Sequence, residues 1–306
     1  MSNIKKYIAL APLSGFSWKG ELIECSLFNM KIIRYFDLPD LHKLENELSS
    51  SEQNMIRSVT HWLTFEYEVS ENFNQSNIII LFLIGLWLAV PTKTHVRLIF
   101  KFSAESEDGK ERGLIRCFEH FQWIKGQISK NVSTDQIKET FENIKLIRAI
   151  ILKKKRLWNA LVLTAAGCMT IRWQVAFINF SSAVETILTY NKGGGITKRL
   201  AKSYACLTEK GKRKRNREYR RFIKLYGIRS DIVHGRGHKL RKTKNKSVEE
   251  RRIEYLDDFS NLLRKLWICV LSNKSVVKEL EKRDSSREVF FQRTENGYSP
   301  PKVKII

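Results

Sequence analysis

Acidic residues are scarce in this chain of 306 residues. Against 55 Lys and Arg stand only 32 Asp and Glu, a formal net charge of +23 with a pI near 9.9. Such an imbalance points to a polyanionic partner, either nucleic acid or an anionic surface. Cysteine is equally thin. The five, Cys25, Cys117, Cys168, Cys206 and Cys269, are odd in number and never two residues apart. That excludes a disulfide framework and a zinc finger, and places the chain in a reducing, cytoplasmic compartment. Cys206 and Cys269 fall on apolar faces of expected helices, where thiols pack as small hydrophobes. His42, His61, His95 and His120 are scattered without metal-ligand spacing, so core or surface roles are expected for them. No apolar run reaches the roughly 18 residues a membrane span needs. The longest, 78–90, ends at Pro91 and reads as a buried helix, and residues 1–11 lack the apolar core of a secretory signal. The glycine triplet at 193–195 has neither a preceding strand nor a following Lys-Ser/Thr pair, so it reads as a helix stop, not a phosphate loop. Neither a metal nor a cofactor is called for.

What is present builds real cores: hydrophobic residues make up 42% of the chain, and its length suggests two domains. Residues 1–134 look α+β. Segments 7–11 and 21–27 read as strands, 41–65 is mixed and helical in part, and 95–102 alternates Val96, Leu98, Phe100 and Phe102 at the strand period. Composition changes near residue 145, but helical periodicity begins at Asp135. Ile137, Phe141, Ile144, Ile147 and Ile151 form one apolar stripe, followed by a basic run at 153–156, and Gly167 is expected in a connection. A second stripe carries Trp173, Ala176, Phe177, Phe180, Val184, Ile187 and Leu188. A third helix places Tyr219, Phe222, Ile223 and Tyr226 on its apolar face. The last opens with a capping box at Ser247 and Glu250 and is lined by Ile253, Leu256, Phe259, Leu263, Leu266, Trp267 and Val270. The expected architecture is mainly α: an α+β domain over 1–134, an all-α helical bundle over 135–275, and a polar tail or arm over 276–306.

Charge and chemistry converge in the second half. Between residues 192 and 246 lie 20 Lys and Arg against three acids, Glu209, Glu218 and Asp231. Inside that stretch Arg229 and His234 are separated by four residues. A fixed cation can neutralise a phosphate, and an imidazole with a pKa of about 6.5 takes or gives a proton near neutral pH. Gly235 and Gly237 supply a helix stop, which puts His234 in the last turn. There the macrodipole favours imidazolium while the neighbouring cations oppose it. At about 100° per residue, Ser230 and His234 share a face, whereas Arg229 points roughly 140° away from His234. A long Arg side chain reaching round, or a site assembled from two subunits, would each bring them together.

The residues Tyr226, Arg229, Ser230, Val233, His234 and Gly235 resemble the signature of the HEPN superfamily, in particular its Apea-like branch. Residues 176–188, with the embedded acid Glu185, are similar to the helix that precedes that signature, and 196–207 to the short helix between them. The resemblance covers roughly 145–275, and the basic segment 210–217 departs from it. It implies a HEPN-like bundle that dimerises with its motifs face to face. It also implies a metal-independent endoribonuclease acting in host defence, against phage for example, or in a toxin system. Arg229 and His234 would be catalytic, with Ser230, Asp231 and Glu185 supporting them; Asp231 would lie outermost, and Glu185 would stand at the edge of the site. As residues alone, Glu185 is equally an ordinary solvent-facing acid, and His238 is an alternative base. Lys212, Arg213, Lys214, Arg215, Arg236 and Lys239 are the expected contacts to RNA. Two other functions compete: a non-catalytic nucleic-acid-binding or scaffolding module, and a regulatory subunit acting through its N-terminal domain.

Overall fold

A computed structural model describes residues 6–34, 46–68, 75–92, 94–103, 112–116, 131–151, 154–170, 172–190, 195–235 and 247–300. The chain divides into two compact units. One comprises Met1–Trp123 and Gln127–Lys145, the other Leu146–Ile306 with Ile124–Gly126. The first is α+β and the second is helical.

The first unit is built on an antiparallel sheet of β1 (Lys6–Pro12), β2 (Leu22–Cys25), β3 (Met30–Arg34), β4 (His61–Glu68), β5 (Leu98–Ser103) and β6 (Arg112–Arg116), in the order β2-β3-β4-β1-β5-β6. Helix α1 (Ser50–Ser58) contributes Ile56 to a core with Leu10, Val59, Trp62, Leu98 and Phe100. His61 is a core residue, as expected. Its Nε2 lies 3.2 Å from the Gly20 carbonyl and its Nδ1 2.9 Å from Thr60 Oγ1, and burial pushes its pKa down. The apolar run forms α2 (Gln75–Ala89), buried from Leu81 to Ala89. No helix among the described residues is long and apolar enough to cross a membrane.

Helix α3 (Thr134–Leu146), expected to open the bundle, belongs to the first unit up to Lys145. The reason is local packing. Gly85 of α2 sits so close to α3 that a Cβ there would lie 2.7 Å from Ile144 Cγ1, Asn143 Nδ2 donates to the Gly85 carbonyl, and Trp18 Nε1 donates to Thr134 Oγ1 at 3.1 Å. A π-helical turn, Ile147–Ile151, follows. The single long helix read from the stripe is therefore broken there.

The second unit contains α4 (Lys155–Met169), α5 (Trp173–Leu188), α6 (Ile196–Thr208), α7 (Lys212–Val233), α8 (Val248–Leu271), α9 (Lys274–Leu280) and α10 (Asp284–Thr294). Its core joins the stripes read from sequence. Phe177 meets Phe259 with ring centres 4.8 Å apart, Tyr204 meets Phe222 at 5.5 Å, and Trp267 Nε1 donates to Thr164 Oγ1 at 2.9 Å. Gly167 is not in a connection but inside α4, where a Cβ would stand 2.5 Å from the Phe180 ring. The capping box at Ser247 and Glu250 forms as its spacing requires.

The expected tail is instead part of this unit. Phe291 of α10 is fully buried against Tyr190, with ring centres 4.9 Å apart. Ser203 Oγ donates to Glu295 at 2.7 Å, and Lys202 pairs with the same carboxylate at 3.2 Å. The segment looked polar because only one face of each short helix is apolar. Cys25, Cys168 and Cys206 are free and buried, and Cys269 is half-buried and donates to the Leu207 carbonyl; Cys117 lies outside the described residues.

Candidate functional site: the Arg229 cluster and the basic face of α7

Helix α7 owes its position to Tyr219, Phe222, Ile223, Leu225, Tyr226 and Ile228, all buried. Packing of that face turns Tyr226 and Arg229, one helical turn apart, toward α5. There Glu185, off the apolar stripe of its own helix, receives both. Tyr226 Oη donates to Glu185 Oε1 at 2.5 Å, and Arg229 Nη2 lies 3.2 Å from the same oxygen. The Arg229 guanidinium also stands 5.5 Å from the centre of the Tyr226 ring. Side chains of Arg229 and Glu185 are 26% and 23% exposed, so the pair is shielded but reachable. The Arg229 Nε–H is buried and makes no hydrogen bond among the described residues. Burial, then the bond to Glu185 and its charge, push the Tyr226 phenol far up, with Arg229 partly offsetting them. Tyr226 thus stays protonated and keeps donating.

His234 caps α7, its N–H donating to the Ser230 carbonyl at 3.0 Å; Gly235 follows at φ +62, the left-handed stop that glycine adopts without strain. The imidazole is exposed, and Ser230 and Asp231 are half-buried. The two motif residues therefore diverge within one chain. Arg229 is held by Glu185 and Tyr226 on the packed side, and His234 is presented to solvent. No group of three or more His, Cys, Asp or Glu among the described residues could hold a metal ion.

Glu185 also lines an open cleft of about 600 Å³ between α4, α5 and the end of α9, with Lys155, Arg156, Asn159, Thr189 and Lys282. Arg156 is already engaged. Its Nη1 donates to the Thr186 and Thr189 carbonyls at 3.1 and 2.8 Å, closing the C-terminus of α5, and burial pushes its pKa down.

The basic residues sort differently from their sequence order. Lys212, Arg213 and Lys214 are exposed. Arg215 is not one of the free cations: its Nε donates to the Glu209 carbonyl at 3.0 Å, at the end of α6, and its guanidinium lies 5.8 Å from the Tyr298 ring. Arg217 and Arg220, not singled out from the sequence, instead join Lys212, Arg213 and Asn216 around a second hollow of about 610 Å³. Helical spacing was the available signal, since 213, 217 and 220 recur at steps of four and three. Arg236, Lys239 and His238 lie outside the described residues.

No family model matches this chain, no curated protein matches it, and no solved structure matches it.

Proposed function

We propose that this chain is a metal-independent endoribonuclease of HEPN type, working as a homodimer in the cytoplasm, in defence against phage or as a toxin. The observation that carries it is the fixing of Arg229 by Glu185, with Tyr226 on the same carboxylate oxygen, on a helix that ends in an exposed His234. RNA brings its own nucleophile. His234 would take the proton of a 2′-hydroxyl, the 2′-oxygen would attack the adjacent phosphorus, and the bond to the 5′-oxygen would break as that oxygen is protonated. Because Arg229 and His234 of one chain diverge, the imidazole and the cation assigned to one phosphate would come from two protomers, with a solvent water protonating the leaving oxygen. Arg229 would hold the non-bridging oxygens as charge builds, with Glu185 fixing its direction. Products would be a 2′,3′-cyclic phosphate and a 5′-hydroxyl. Incubation of labelled RNA with the protein in excess EDTA tests this. Cyclic-phosphate ends are expected, and a strict requirement for Mg²⁺ or Mn²⁺ would reject it.

The Glu185–Arg229 pair also favours a second function, a non-catalytic nucleic-acid-binding module in which that pair simply joins α5 to α7. Retarded migration of RNA without cleavage would support the module over the enzyme.

A further inference from the structure

Five of the nine Lys and Arg of α7 share one side of the helix. With about 100° between successive residues, Lys212, Arg213, Arg217, Arg220 and Lys224 fall within one arc of about 140°, and His234 falls inside the same arc. All six are exposed. Arg229 lies about 100° or more outside it, consistent with its bond to Glu185. The buried residues Phe222, Leu225 and Tyr226 occupy the opposite side, while buried Ile223 and half-buried Asp231 fall inside the arc, so the exposed strip narrows between Lys224 and His234. The arc is concave at its start, where Lys212, Arg213, Asn216, Arg217 and Arg220 surround the hollow of about 610 Å³. Arg217, 71% exposed, pairs with the buried Glu218 at 3.4 Å, and Lys224 stands 5.1 Å over the Tyr255 ring, which holds its charge at the surface.

We infer that this face of α7 is a track for the phosphate backbone of single-stranded RNA, running lengthwise from the hollow at Lys212 to the imidazole of His234. From Lys212 to His234 the helix rises about 33 Å, at 1.5 Å per residue. An extended strand spaces its phosphates at roughly 6 to 7 Å, about twice the stacked repeat of 3.4 Å. The track therefore takes about five or six nucleotides, within the roughly 4 to 16 of known single-strand sites. Single strands are favoured over duplexes because a 2′-oxygen must swing in line with the departing 5′-oxygen, which a stacked A-form helix prevents. That choice of strand rests on the ribonuclease function proposed above; the track itself rests on the register of the cations.

Two measurements on the full chain test it. Fluorescence anisotropy with labelled oligodeoxynucleotides of two to twelve residues, which lack the 2′-hydroxyl, reads binding alone. Affinity should climb with length to about six nucleotides and then level off. The variant with Lys212→Gln, Arg213→Gln, Arg217→Gln and Arg220→Gln should lose that climb. Its log–log salt slope should flatten by about 3, at roughly 0.7 for each phosphate no longer neutralised. Cleavage of oligoribonucleotides of the same lengths reads the chemistry. Affinity independent of length in the wild-type protein, or a duplex bound more tightly than its single strand, would overturn the track. So would a dinucleotide cut with the same kcat/KM as a dodecamer, and that result would leave the ribonuclease standing. Length-dependent binding with no cleavage at any length would instead remove the ribonuclease and leave the track. Wild-type length dependence decides the matter even if the fourfold variant folds poorly.

Discussion

Glu185 Oε1 accepts from two donors of α7 at once, and the consequences differ for each donor. Tyr226→Phe removes a hydrogen bond to a charged acceptor in a largely buried place, so it should lower stability by about 1.5 to 3 kcal/mol. RNA cleavage should fall with it, because Arg229 is then fixed from one side only. An unchanged melting temperature together with unchanged kcat would refute both statements. His234→Ala should leave folding and RNA affinity nearly intact, since the ring is exposed, and cut turnover by about 100-fold or more. Normal cleavage by a folded His234→Ala protein, checked by circular dichroism, would hand the site to the binding module. A third titratable residue governs stability rather than chemistry. Asp257 of α8 has its pKa pushed up to about 6, by burial first and then by the charges of Asp258 and Glu254. A carboxyl whose folded pKa is raised contributes most below its ordinary value near 4 and loses that contribution as pH rises through about 6. Asp257→Asn should therefore raise the melting temperature at pH 8 and change it little at pH 4.5. Equal effects at both pH values would contradict the assignment.

Helix α7 carries positive charge where a helix tolerates it least. Its first turn holds Lys212, Arg213 and Lys214, no acid, and Gly211 as an N-cap without a side-chain bond. Each cation there opposes the macrodipole by about 0.3 to 1 kcal/mol at low salt. Lys212→Glu with Arg213→Glu should accordingly stabilise the protein in thermal melts while weakening RNA binding. A loss of stability would show that these side chains hold the fold instead. Much at this scale was legible in the sequence. The apolar stripes of α5, α7 and α8 recur at helical spacing, and the Ser247 capping box is a local signal that needs no tertiary partner. Arg215 and Arg217 were not separable, because they sit two residues apart in a uniform basic run. Only the neighbouring Glu209 carbonyl and the hollow beside Arg213 give them different tasks. Strand β4 escaped for the opposite reason: its first three residues, His61, Trp62 and Leu63, are all buried, so the alternation that marks a half-exposed strand is missing there. The short strands β3 and β6, five residues each, carry too few positions for a period to emerge.

As a whole molecule, the proposed enzyme depends on a second copy, because Arg229 and His234 of one protomer turn away from each other. Light scattering at micromolar concentration should give twice the 35.9 kDa of the chain. Mixing His234→Ala with Arg229→Ala protein should restore part of the cleavage that each lacks alone. A monomer that cuts RNA would remove the composite site. The division between the units was only partly legible: the composition shift near residue 145 marks it, while the helical period starting at Asp135 misleads. Periodicity reports that a helix has an apolar face but not which core receives it, and the close approach at Gly85 decides that for α3. The closing of the second unit by its last helices has a consequence in time. Ser203 of α6 waits for Glu295, 92 residues later. At about 5 to 20 residues per second, a ribosome needs roughly 5 to 18 s between them. During that interval α6 is already made while the Phe291 contact and the Glu295 bonds are not, so the motif helix emerges into an unfinished core. The proposed nuclease would stay silent toward the message that encodes it until almost the whole of the described chain has left the ribosome.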